Sequence, residues 1–266
     1  MSLNFKGYNH MLIGIIMTTS IAFSQDTNNS LMDWEVIAEL PDEIGQPNKG
    51  LAGSFAGISN DVMLIAGGAN FQNEMPWEGG KKYWSDKIYV LKRKGNEYKW
   101  HSKTFNLPHP IAYGYSISTP NGVLCIGGRD NVKTYSEVFY MKWEALSESV
   151  IIEKLPGLPI PLANLSASII SDKVYVAGGE YMGETTNHFF SLDVSSNNTS
   201  DYKWTKLPSF PGLSRAFSVL QSQSNGREHG LFLFSGRSYN KNGFIEVLSD
   251  SYFFSPIRNN WEQLDG

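Results

Sequence analysis

Four short apolar runs punctuate the chain, VMLIA from Val62, VLCI from Val123, VYVA from Val174 and LFLF from Leu231, and each stops at a pair of small residues. β-Branched and aromatic runs of this length, bounded by turn residues, read as strands. The pairs are Gly67 with Gly68, Gly127 with Gly128, Gly178 with Gly179, and Ser235 with Gly236; glycine there supplies the positive φ that a sharp exit from a strand needs. A further apolar stretch follows each pair: KIYVL from Lys87, EVFYM from Glu137, HFFSLDV from His188 and DSYFF from Asp250. The most regular copy, Leu155 to Glu180, also shows what precedes the pair. It has a Leu-Pro corner, a strand over Leu165 to Ile170 and a polar turn at Ser171 and Asp172. A fourth strand closes each copy, as YKW ending at Trp100, VIIEKL around Ile152, Trp204 to Leu207, and Trp261 to Leu264.

The pairs are 60, 51 and 57 residues apart, which fits a unit of about 50 residues. One glycine pair is only a tight turn, but four in phase with tryptophans are a repeat. Four strands per copy, four times over, predict an all-β chain: a kelch-type β-propeller with four full blades, about 51–106, 111–155, 162–207 and 214–264. Ahead of the first copy, DWEVIAELP around Trp34 reads as one extra closing strand. Propellers commonly let one terminus complete the blade made by the other, which removes free sheet edges. Here the last copy already owns Trp261 to Leu264, so the Trp34 strand has no blade to complete. The expectation is a single propeller domain over residues 25–266 that is incomplete, a fragment of a larger ring.

Composition changes this picture little. The chain has 266 residues, 41% of them hydrophobic, enough to bury a large core as one repeat-built domain. A net charge of −4 argues against a nucleic-acid surface. Lys6, the apolar run from Met11 to Met17 and the small residues Ala22 and Ser24 before Gln25 read as a cleaved export signal over residues 1–24. The run is too short and interrupted for a stable membrane span, so the expected location is periplasmic or secreted. Cys125 is the only cysteine; placed in a predicted buried strand, it reads as a core residue rather than a reactive thiol. His101, His109, His188 and His229 are scattered, with no metal-ligand spacing. No metal and no cofactor are implied.

In a four-stranded antiparallel blade the links from fourth to next first strand and from second to third strand emerge on one face, the face where a ring of blades places a ligand. The polar residues just after the pairs are best placed to point at the central channel: Asn70, Arg129, Asp130, Glu180 and Arg237. They are the candidate substrate-binding residues. Two cations and two carboxylates about one axis suit a sugar acid and proton transfer. The longest link, ANFQNEMPWEGGKKYWSD, adds Phe71, Trp77, Tyr83 and Trp84 beside Glu74, Glu78, Lys81 and Lys82, a composition suited to stacking on a carbohydrate ring.

The strings GLAGSFAGISNDVMLIAGGANF from Gly50, GGKKYWSDKIYVL and AYGYS from Ala112 resemble the bacterial N-acetylneuraminate epimerases, or sialic acid mutarotases. The order of the blades resembles the cyclically permuted branch. The resemblance implies an exported six-bladed kelch propeller that interconverts anomers of N-acetylneuraminate by cofactor-free acid/base catalysis, with a small-molecule sugar acid as its partner. The family's proposed pair, a Glu just after a blade doublet and an Arg six residues on, falls by this order in a blade beyond Gly266. Glu180 matches the first half of that pattern, but Thr186 stands where the Arg belongs, so no catalytic residue is assigned and Glu180 is only a partial match. The sugar's carboxylate needs a cation, Arg above all for its bidentate fork, which points to Arg129, Arg215 and Arg237. Arg215, after a Leu-Pro corner, reads better as structural. The alternative from another class is a kelch propeller that binds a glycan or a protein and catalyses nothing.

Overall fold

The four predicted copies fold as four antiparallel sheets, each with its strands adjacent in chain order. The structure is a computed structural model that describes residues 35–42, 45 and 47–264. The first blade is Phe55–Ser59, Val62–Ala66, Lys87–Lys94 and Glu97–Trp100, with Phe105–Asn106 pairing on the third strand. The second is Tyr115–Thr119, Gly122–Ile126, Val138–Glu144 and Ser149–Leu155. The third is Ser166–Ile170, Lys173–Ala177, Phe189–Asp193 and Trp204–Lys206, and the fourth is Val219–Ser224, His229–Tyr239, Ile245–Ser255 and Asn260–Leu264. Among the described residues no helix is long and apolar enough to cross a membrane.

Chain contacts divide into two units, Met1–Val36 and Ile37–Gly266, and all four blades belong to the second. The expected signal over residues 1–24 and Trp34 itself lie outside the described residues. The expected extra strand is corrected where it can be seen: Glu35 to Leu40 carry no strand, because a strand exists only through a neighbour's ladder and no described strand pairs with them. The corner that follows is nevertheless seated like its counterparts. Trp100 donates its indole N–H to the Glu39 carbonyl, as Trp204 does to Pro156 at 2.9 Å and Trp261 to Pro208 at 3.0 Å.

Successive side chains of a strand point to opposite faces, and wherever two blades meet the facing sides are apolar. Leu64, Ala66, Ile88 and Val90 of the first blade meet Val123, Cys125, Phe139 and Met141 of the second. Leu124, Ile126, Val138 and Tyr140, from the second blade's other face, meet Val174, Val176, Phe190 and Leu192. Tyr175, Ala177 and Phe189 then meet Leu231, Leu233, Tyr252 and Phe254. Cys125 is fully buried in the first of these layers, and burial pushes its thiol pKa well up; it is a core residue. The innermost strands of adjacent blades do not form a ladder, so serines tie them together. Ser116 Oγ accepts from Ala56 N and donates to Ala56 O, Ser118 Oγ accepts from Ile58 N, and Ser168 Oγ accepts from Ser222 N.

The glycine pairs are where one blade receives the corner of the next. A Cβ on Gly67 would lie 2.2 Å from Ile111 O, on Gly127 2.4 Å from Leu162 O and on Gly178 2.4 Å from Arg215 O. The second glycine of each pair donates its N–H to that same carbonyl at 2.8 Å. The fourth blade carries Ser235 instead, and no described corner presses on it. Among the described residues the innermost strands pack first on second, second on third and third on fourth, with no comparable packing of fourth on first. Ile58 on the first blade and Val219 and Phe234 on the fourth consequently stay 49%, 56% and 40% exposed.

One link differs from expectation. With the third strand of the last copy read as DSYFF from Asp250, the residues between Gly236 and Asp250 are expected to form a loop. Instead, past a bulge between Phe234 and Gly236, the ladder continues through Arg237 paired with Val247 to Tyr239 paired with Ile245. The inserted residue at the bulge lets the chain bend without ending the pairing.

Candidate functional site

In every blade an isolated bridge joins the two links predicted to share a face: Ala52 with Ala69, Ala112 with Arg129, Ala163 with Glu180, and Ala216 with Arg237. The residue after each of those first alanines takes a left-handed backbone, Gly53 at φ 66°, Tyr113 at 61°, Asn164 at 50° and Phe217 at 58°. For non-glycine residues this costs about 1–3 kcal/mol each, and such strain gathers at functional sites. A backbone relay offsets part of it here: Tyr113 N donates to Gly53 O at 2.8 Å, Asn164 N to Tyr113 O at 2.7 Å and Phe217 N to Asn164 O at 2.9 Å. The relay holds three side chains in a row, each from a different blade.

These three side chains, together with Lys81, Lys82, Trp84, Arg129, Asn131 and Glu180, line one cavity of about 710 Å³. Arg129 Nη1 donates to Glu180 Oε1 at 3.0 Å across the second and third blades. Glu180 is 10% exposed at its side chain and Arg129 41%, so the carboxylate sits deeper and the guanidinium reaches over it. Chain order places Thr186 six residues after Glu180; the arginine beside this carboxylate comes instead from the preceding blade.

Lys82 is held at the rim by aromatic rings. Its ammonium lies 5.0 Å from the Tyr113 ring centre and 5.6 Å from those of Phe71 and Trp84, and it donates to the Tyr113 hydroxyl at 3.0 Å. Trp84 and Tyr113 meet edge to face at 5.6 Å, which fixes the cage. Gly53 makes room for it, since a Cβ there would lie 2.5 Å from Tyr113 Cδ1. No carboxylate lies within ion-pair distance of Lys82 among the described residues. The cavity therefore presents three cations to one carboxylate, an excess that favours an anionic ligand.

Of the five residues expected to bind substrate, the fold brings Arg129 and Glu180 together in this cavity and leaves the other three outside its lining. Asn70 sits one position past Ala69, the residue equivalent to Arg129 and Glu180, and its side chain donates to Gly50 O at 2.8 Å. Asp130 is spent on its own loop: it accepts from Val132 N, Lys133 N and the Tyr135 hydroxyl at 2.7, 2.8 and 2.6 Å. Burial pushes the Asp130 carboxyl up, but these hydrogen bonds outweigh it and hold the pKa below the usual carboxylate range. Arg237 is exposed and lies over the Phe217 ring at 5.6 Å. Arg215 is structural, with both terminal nitrogens on Asp250. In the long link, Lys81, Lys82 and Trp84 reach the cavity, whereas Trp77 is 80% exposed on a short turn over Pro76–Glu78. Sequence reasoning passed over Tyr113, Asn164 and Phe217, although an Ala-x step in phase with the Leu-Pro corners marks all three.

Comparison with known proteins points one way. Residues 16–151 and 155–266 match the family model described as N-acetylneuraminate epimerase. Proteins named N-acetylneuraminate epimerase are similar over part of the chain. The one from Brucella melitensis is 36% identical over 128 residues, 44% of this chain and 32% of the relative. That of Yersinia enterocolitica is 34% identical over 145 residues, 48% of this chain and 34% of the relative. The chain thus spans about a third of the length of these curated relatives. A solved structure described as the structure of YjhT superposes with a TM-score of 0.64 at 14% identity, covering 87% of this chain and 73% of that one, a likeness that concerns the fold. With the family model matched along nearly its whole length, this β-propeller chain belongs to the N-acetylneuraminate epimerase family.

Proposed function

We propose that the protein is a mutarotase of N-acetylneuraminate, interconverting its anomers at the cavity that the Arg129–Glu180 pair and the Lys82 cage share. The carrying observation is this cavity's excess of positive charge around one deep carboxylate, in a chain of this family. Mutarotation opens and recloses a hemiketal ring. A base takes the anomeric hydroxyl proton while the ring C–O bond breaks and the ring oxygen gains a proton; rotation about the exposed carbonyl carbon and the reverse steps give the other anomer. Proton transfers of this kind need only a positioned acid and base and no cofactor. Glu180 is the base, oriented by its hydrogen bond from Arg129. Tyr113 is the acid: its oxygen already accepts from Lys82, so its own proton is free to donate into the cavity. Lys82, with Lys81 beside it, takes the sugar's carboxylate, and the faces of Trp84 and Phe217 take its ring.

The test is a pair of variants followed by NMR exchange between the anomers. Glu180→Gln lowers the exchange rate by about 10²–10⁴-fold, the usual contribution of a general base. Lys82→Met raises KM about tenfold or more with kcat changed little, the loss expected for a charge-assisted hydrogen bond. Unchanged exchange in Glu180→Gln would discard this assignment. We also propose that the protein is exported, on the strength of the pattern over residues 1–24; N-terminal sequencing of the mature protein should begin at Gln25, and a start at Met1 contradicts it.

A further inference from the structure

The fourth strand of each blade carries one residue at an equivalent register. Leu91 pairs with Trp100, Met141 with Ile152, Leu192 with Trp204 and Phe254 with Trp261. In three blades that residue is tryptophan, and its indole N–H donates to a carbonyl at the preceding Leu-Pro corner, Glu39, Pro156 or Pro208. The indole ring thereby fills the wedge between one blade's corner and the next blade's outer strands. The second blade has Ile152 instead, and no described residue donates to the carbonyl of Pro108, the matching corner.

The wedge left open by that exchange is a cavity of about 180 Å³ lined by Leu107, Pro108, Ile111, Phe139, Ile152 and Leu155. Its rim carries Lys154 and the pair His109–Glu137, 2.9 Å apart, with His109 stacked on Tyr135 at a ring distance of 4.3 Å. An apolar cavity of about 150 Å³ is enough to hold a benzene-sized guest. We propose that this slot between the first and second blades is a binding site for a flat aromatic heterocycle bearing an N–H, of the indole class, seated where the other blades place their own tryptophan. The apolar walls take the ring, and the Pro108 carbonyl takes the N–H. The site lies among residues that share nothing with the Lys82 cavity, so it stands or falls apart from the mutarotase reading.

The probe is indole itself, titrated into the full chain by ligand-observed NMR with thermal unfolding in parallel. Wild-type protein shows saturable binding and a midpoint that rises with indole concentration. 1-Methylindole, which keeps the ring and loses the donor, binds about fivefold more weakly, the worth of one neutral hydrogen bond. Ile152→Trp fills the slot from within: indole binding drops at least about tenfold and the ligand-free midpoint rises. Ile152→Phe, a smaller filling, gives an intermediate loss of binding and serves if the tryptophan variant does not fold. Absence of saturable indole binding to the wild type overturns the proposal, as does equal affinity for wild type and either variant.

Discussion

A guanidinium with no exposed surface needs its donors occupied, and Arg215 meets that condition. It pairs both terminal nitrogens with Asp250 at 2.7 and 2.9 Å, donates to Ser235 O at 3.0 Å and lies between the rings of Phe210 and Tyr252, each 5.2 Å away. The hydrogen bonds from Arg215 hold the Asp250 carboxyl below its ordinary pKa, and burial only partly opposes them. A carboxylate whose folded pKa is lowered contributes stability that is present above the ordinary Asp value of about 3.9 and lost as pH falls through the folded one. Asp250→Asn leaves the buried cation unpaired and should cost about 3–5 kcal/mol in urea unfolding at pH 7. It should also remove this pair's share of the stability loss below about pH 4. A variant as stable as the wild type at neutral pH contradicts that account. The contrast with Arg129 is one of surroundings: both arginines follow a repeat landmark, but Arg129 is partly exposed beside a carboxylate in a cavity, and nothing in the letter R separates the two.

The blade is the element in which burial energy is organised, because each apolar layer is shared by two of them. Phe189 is fully buried between the third and fourth blades, against Phe254 and Trp261 at ring distances of 4.8 Å. Phe234, on the fourth blade's other face, is 40% exposed. Phe189→Ala should therefore cost about 3–5 kcal/mol and Phe234→Ser less than about 1 kcal/mol, measured by chemical unfolding of this chain. Similar losses in the two would mean that the fourth blade's outer face is covered after all. Strands were legible at this scale because a residue's face follows from its place in a period of two, and the doublets because a neighbour's carbonyl forbids a Cβ at Gly67, Gly127 and Gly178. The hairpin beyond Gly236 was not legible: whether a chain after a strand loops out or continues its ladder depends on the bulge at Ser235 and on the partner strand. The cavity lining was legible in part. Landmarks showed which links share a face, but the left-handed turn at Tyr113, Asn164 and Phe217 is set by a backbone relay between blades, and its only trace in the sequence is an Ala-x step.

For the whole molecule, repetition places one deep carboxylate, one arginine from the neighbouring blade and one caged lysine about a common cavity. No single blade holds all three, which is why a motif confined to one stretch of chain does not find them. Family membership and this geometry are the two supports of the proposed action at the anomeric centre of a sugar acid. Exchange spectroscopy between the α and β anomers of N-acetylneuraminate, with and without the protein, tests that most directly. Cross-peaks should grow faster with added protein than in buffer alone; buffer-like exchange at saturating protein would overturn the mutarotase reading.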